Sequence, residues 1–524
     1  MKHETSVRHS IAQSFARWWW PALVASCWIL TGAIYLTLPP SPDQFELDYM
    51  GWQMLEGAVP YRDFIDMNWP GVLWLHALST FLFGNHLWSW RALDFIVLAL
   101  SAVLLQDLLT RAAGKTAAAI SWLLYPLFYI SLGQWFSGQP DMTAGQLLLG
   151  ALWCHVRGYE TPSWRWQLGT GLFLAAAMLN KPTVGVLGPL LMAQAVLAGM
   201  PARRVVVHTA VAAAAAVGGL ILALIALLGQ GATLGEVTDA IYTYNVWTQF
   251  VDAASFAGLA QTGISLHVFS WHYLSVLAVL GALWLVWSGR SRVAATALAV
   301  LWLAGVLSFL VQQRGFGYHL AACFISIVGL ASVAIGACLD AGKERARPAW
   351  PAAIGGLLLL TVIAGGVKKL HGGYPLLPAA LLQRNPALHL AQYKEGDGLT
   401  VADAVALTGR IERAVPAGEA VFVLGTASSM NFLSRRPHAT RFFYAPTLIN
   451  ARAPLPMAQR WVALFESDLL RTRPRWCLIS TWARRQWLEG DSRGARFLRD
   501  YLAAHYRRIG FIGAEDGLEI YERI

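Results

Sequence analysis

Charge is scarce in this chain. Asp, Glu, Lys and Arg together make up 13% of 524 residues, where a soluble domain carries about a quarter. Cysteine is nearly as sparse. The five are an odd number scattered mostly through apolar stretches, with no CxxC pair, so a disulfide framework is excluded. There is no GxSxG, HExxH or GxGxxG, and Ala113-Gly114-Lys115-Thr116 lacks the upstream glycine of a P-loop. No His, Cys and Asp cluster has metal-ligand spacing, so no cofactor is evident, although a metal held at unfamiliar spacing stays open. The formal net charge is +10, yet no aromatic and basic stacking motif accompanies it, which argues against nucleic acid as a partner.

Apolar residues are abundant: 56% of the chain, with a mean hydropathy of +0.47. Such a chain is a polytopic membrane protein. Many of its 24 Trp flank apolar runs, among them Trp18 to Trp20, Trp88, Trp90, Trp164, Trp166 and Trp350. About eleven spans are expected, at 18–38, 89–110, 115–132, 142–157, 166–180, 182–200, 205–228, 271–288, 294–311, 319–339 and 349–366. The segment Gly71 to Gly84 is too short to cross a hydrocarbon core that needs about 20 helical residues. It is expected to lie at the membrane face. With the N-terminus in the cytoplasm, the short basic clusters then all fall inside: Arg111 and Lys115, Arg157 and Arg165, Arg203 and Arg204, Arg290 and Arg292, and Lys343, Arg345 and Arg347. Counting Gly71 to Gly84 as a span would send the later clusters outside. The orientation puts loop 39–88, the turns at 131–141 and 312–318, loop 229–270 and the tail on the outer face.

Two domains are expected: a transmembrane part, 1–366, and an extracytoplasmic α/β domain, 367–524. Lys368 to Pro378 reads as a linker from its Gly and Pro. Thr400 to Asp403 is a capping box opening a helix to about Val415. Strands are expected at Glu419 to Gly425, Arg475 to Ser480 and Leu518 to Glu522. Helices are expected at about Pro456 to Arg471 and Arg496 to Tyr506.

Candidate chemistry sits on the outer loops. Asp48 lies in a run, 45–57, with apolar residues at helical spacing, so it can rest on a membrane with its carboxylates turned away. Asp63 and Asp66 either serve the site or simply pair with Arg62. Asp141 follows Gly138-Gln139-Pro140 and is either a helix cap or a second carboxylate on the same face as Asp48. Lys181, in Asn180-Lys181-Pro182, interrupts an apolar stretch and suits an anionic lipid group, or snorkels to the interface. Arg314 is the one basic residue in a short outer turn, beside Gly315, Gly317, Tyr318 and His319, and guanidinium groups hold phosphate well.

These residues resemble a known family. Asp48-Tyr49, then Gly57-x-x-Pro60-Tyr61-Arg62-Asp63 and Asn68-Trp69-Pro70-Gly71, resemble the first outer loop of the GT-C glycosyltransferases. The likeness is to bacterial relatives of the protein O-mannosyltransferases and the lipid A aminoarabinose transferase. Phe83-Gly84 with Arg91, Leu179 to Pro182, and Gln313-Arg314 with Tyr318-His319 resemble later segments of the family in order. The resemblance implies a GT-C-like helical membrane fold and transfer of sugar from a polyprenyl-phosphate donor to a lipid, glycan or protein acceptor. It places the enzyme in the plasma (inner) membrane. Asp48 is then expected to be the catalytic base, with Asp141 assisting it. Lys181 and Arg314 hold the lipid phosphate, and Tyr61, Arg62, Asp63, Tyr318 and His319 complete the substrate site. A transporter or lipid flippase is the rival class, and a glycan ligase would share the chemistry. Transport is disfavoured by the lack of inverted repeats.

Overall fold

The computed structural model describes residues 2–246, 253–288, 292–342, 349–450 and 455–524. Arg290, Lys343, Arg345 and Arg347, used above for orientation, lie outside them. Helices stand at each of the eleven expected stretches, from Lys2–Tyr35 to Trp350–Gly373. By length and composition, five of the described helices can cross a membrane alone. They are Ser89–Ala112, Ala202–Gly229, Val293–Gln312, Gly317–Ala341 and Trp350–Gly373. A sixth crossing is made if Phe256–Val268 and His272–Trp287, bent by 88°, form one broken span. Lys115–Ile130 and Trp164–Asn180 have 16 and 17 residues, short of the about 20 a perpendicular crossing needs. Ala321–Ala341 is the centre of the bundle, buried over almost its whole length.

Pro70–Phe83, the segment expected at the membrane face, is a 14-residue helix. One side packs inward through Val72, Leu73, His76 and Ala77, while Phe81 is 72% exposed. Glycine makes its inward contacts possible. A Cβ on Gly51 would lie 2.5 Å from the Ala77 backbone nitrogen, and one on Gly71 would lie 2.8 Å from the Leu179 backbone. Helices Pro42–Leu55 and Pro70–Phe83 therefore cross nearly backbone to backbone.

Helix Pro42–Leu55 departs from expectation. It does not rest on a membrane with carboxylates turned to water; every residue from Gln44 to Trp52 is buried. The C-terminal domain covers it. The Tyr49 ring lies 4.7 Å from Phe443, and the His438 backbone N–H donates to Tyr49 Oη at 2.9 Å. The linker is also shorter than expected, because helix Trp350–Gly373 runs through Lys368 and Lys369 before Tyr374 ends it.

Beyond it lies an α/β domain with a four-stranded sheet in the order Val421–Leu424, Trp476–Ser480, Leu518–Arg523, Tyr506–Ile512. The first pair is parallel and the other two pairs antiparallel. The Thr400–Asp403 capping box forms as read. Strand Tyr506–Ile512 was not expected. It is the sheet edge, largely exposed, and Arg507 and Arg508 break the apolar alternation that marks a strand.

Candidate functional site

Two helices begin alike. Pro42–Leu55 and Pro140–Glu160 both carry Pro at the first position and Asp at the second. Proline needs no amide partner there, and a carboxylate at a helix start meets the positive end of the helix dipole. Asp43 and Asp141 are thus presented by two N-termini. Ser41 and Gln44 form a capping box that fixes the first of these ends.

A buried polar frame ties the two helix starts together. Gln44 Nε2 donates to Ser137 O at 2.8 Å, Gln139 Nε2 to Ser41 Oγ at 3.1 Å, and Gln134 Nε2 to Pro40 O at 2.8 Å. Arg91, wholly buried, donates to the carbonyls of Leu38, Pro39 and Ser137 at 3.2, 2.8 and 2.6 Å. Its charge is answered through Tyr35, which donates to Asp94. Gly138 has φ +71, and a Cβ there would approach Trp90 Nε1 to 2.6 Å; only glycine fits this turn.

Around these ends charges of both signs gather. Lys181 Nζ lies 3.1 Å from Asp141 Oδ2, and Gln312 Nε2 donates to Asp141 Oδ1 at 3.2 Å. Helix Trp164–Asn180 stops at Asn180 because Pro182 follows, leaving Lys181 in an extended conformation. Burial raises the Asp43 carboxyl to about 6, with Lys181 opposing the rise and Asp66 adding to it. Burial and the adjoining Asp66 carboxylate hold Glu46 well above the carboxylate range. Tyr318 feels the charges of Asp43, Asp141 and Arg314, and His319 those of Lys181, Asp141 and Arg314. From the C-terminal domain, Tyr444 comes within reach of Glu46 and Asp43.

The expected residues divide accordingly. Asp141, Lys181, Arg314, Tyr318 and His319 come together. Asp48 does not join them. Its side chain is 1% exposed and bonded to His76 Nδ1 at 2.7 Å, and the imidazole stacks on Trp90 at 3.7 Å. This aspartate fixes one helix to the next. Arg62 and Asp63 are also displaced from the site: they pair with one another at 2.8 Å on the surface, and Arg441 Nη1 binds the Arg62 carbonyl at 2.9 Å to dock the C-terminal domain. Tyr61 is buried with φ +67, and its hydroxyl donates to Asn68 O at 2.9 Å, shaping the turn that presents Asp66.

Asp43 and Glu46 escaped the sequence analysis as site residues, whereas Asp66 was weighed there beside Asp63. The available signal was the repeated Pro-Asp at 42–43 and 140–141, preceded by the cap Ser41 and followed by Gln44. Among the described residues, no three His, Cys, Asp or Glu side chains gather in a way that could hold a metal ion.

Residues 68–228 match the family described as dolichyl-phosphate-mannose-protein mannosyltransferase. Comparison with curated protein sequences found no match. The fold is similar to that of ArnT from Cupriavidus metallidurans bound to undecaprenyl phosphate, with a TM-score of 0.63 and 15% identity over 97% of this chain and 98% of that one. It is also similar to the archaeal oligosaccharyltransferase AglB from Archaeoglobus fulgidus, solved with an inhibitory peptide and a dolichol-phosphate. There the TM-score is 0.53 and the identity 13%, over 97% of this chain and 75% of the other. The chain is a multi-pass membrane protein with the GT-C glycosyltransferase fold.

Proposed function

We propose that this protein is a membrane glycosyltransferase that moves a sugar from a polyprenyl-phosphate donor to an acceptor hydroxyl. One observation carries the reading: Asp43 and Asp141, on two helix N-termini, meet Lys181, Arg314, Tyr318 and His319 in a single cluster. Asp43, half-buried with its carboxyl near 6, suits a general base close to neutral pH. It takes the acceptor proton as the acceptor oxygen bonds to the anomeric carbon. The bond from that carbon to the phosphate oxygen breaks, and polyprenyl phosphate leaves with the electron pair. Lys181 and Arg314 offset the charge that develops on the leaving phosphate. Asp141 holds Lys181 in place, and Tyr318 and His319 line the phosphate side.

The basic clusters at Arg111, Arg157 and Arg203-Arg204 support an orientation with this cluster and residues 367–524 on the outer face of the inner (plasma) membrane. The acceptor is then a lipid, glycan or protein exposed there, covered in part by Tyr444. The direct test is to incubate the purified chain with sugar-loaded polyprenyl phosphate and a membrane extract. Donor consumption with release of free polyprenyl phosphate is expected, and an accumulating lipid-linked sugar in a deletion strain would name the donor. A donor left intact under all acceptors would overturn the reading.

A further inference from the structure

Fourteen residues past Asp141 on helix Pro140–Glu160, roughly 21 Å along its axis at 1.5 Å per residue, stands His155. It opens on a cavity of about 270 Å³ among helices Pro140–Glu160, Trp164–Asn180, Leu187–Leu197 and Ala202–Gly229. Leu174, Leu191 and Met192 give it apolar walls. Five polar side chains also line it, and three of them have an unpartnered atom: His155 Nε2, Gln167 Nε2 and His208 Nδ1. His155 is 6% exposed and Gln167 is 2% exposed. Unsatisfied groups at such depth in a membrane protein each cost several kcal/mol, so their convergence calls for an acceptor-bearing occupant. Leu174, Leu191 and Met192 offer water no partner, so an occupant that satisfies the whole lining has an apolar part as well as an acceptor. Arg204 lies four residues before His208 on the same helix, a cation one turn beyond the lining.

We propose that this cavity is a glycerophospholipid site. One acyl chain fills the apolar part, the two ester carbonyls accept from Gln167 and from the two imidazoles in the tautomers that place N–H toward the cavity, and the lipid phosphate meets Arg204. The site is separate from the transfer cluster and does not depend on the activity assigned to it. A polyprenyl phosphate has no ester carbonyl to offer these donors.

Native mass spectrometry of the full chain, released from membranes in mild detergent, tests the proposal. One phospholipid per chain is expected to survive partial delipidation. Gln167→Leu should weaken its retention about tenfold, the worth of one hydrogen bond at this depth. Gly188→Leu should expel it, because a Cβ there meets only Leu174 Cδ2, at 3.7 Å, and the longer side chain grows into the cavity. A wild-type chain that keeps no phospholipid, one that keeps a polyprenyl phosphate instead, or equal retention in all three proteins would overturn it.

Discussion

At the scale of single residues, burial sets two aspartates of one helix apart. Asp43 and Asp48 are five positions apart on one helix, yet one is half-buried among charges and the other is sealed against His76. Because the Asp43 carboxyl sits near 6 and must be ionised to accept a proton, kcat/KM should fall as pH drops through about 6 and hold above it. In Asp43→Asn that acid limb should vanish along with most of the rate, which a pH profile on purified enzyme would check. Lys181→Ala and Arg314→Ala should each weaken donor use by about 1.5–3 kcal/mol, as lost charge-assisted contacts do. Donor titrations would measure this as a rise in apparent Kd with the chain still folded. Lys181, Arg314, Asp141, Tyr318 and His319 were legible in sequence because a cation or a polar run inside apolar surroundings stands out. Asp43 was not, since an aspartate after Ser-Pro at a helix start reads as a cap, and only the tertiary frame of Arg91, Gln44 and Gln139 sets it beside Asp141.

Among elements, periodicity located the strongly apolar helices, and of the capping boxes at Ser41, Thr233 and Thr400 only the last was read. The eleven apolar stretches and the Thr400–Asp403 helix start are where they were read. Edge strand Tyr506–Ile512 was missed because its exposed face is charged, and the burial of Pro42–Leu55 was missed because its cover comes from residues almost 400 positions later. The close crossing of Pro42–Leu55 and Pro70–Phe83 depends on Gly51, where a Cβ would meet the partner backbone at 2.5 Å. Gly51→Ala should therefore cost about 1–3 kcal/mol, the usual price of overpacking. A lowered Tm in detergent, with Asp43 chemistry impaired through the shifted helix, is the expected result.

For the whole molecule, the candidate site lies where the bundle meets the C-terminal domain. Loop 39–88 is clamped between them by Tyr49 to His438, Arg441 to the Arg62 carbonyl, and Asn85 Nδ2 to Phe432 O at 3.1 Å. A cysteine placed at Thr400 should be labelled by an impermeant reagent added to the outer face of intact cells; protection there with labelling only after lysis would reverse the orientation. The central claim is that Asp43, and not Asp48, is the base of a sugar transfer from polyprenyl phosphate. Turnover of Asp43→Asn and Asp48→Asn, measured side by side on folded protein at saturating donor, tests it most directly. The account predicts a loss of about 10²–10⁴-fold for Asp43→Asn, and for Asp48→Asn a destabilised chain whose folded fraction turns over nearly normally. Near-normal turnover in Asp43→Asn, or a rate collapse in well-folded Asp48→Asn, would contradict it.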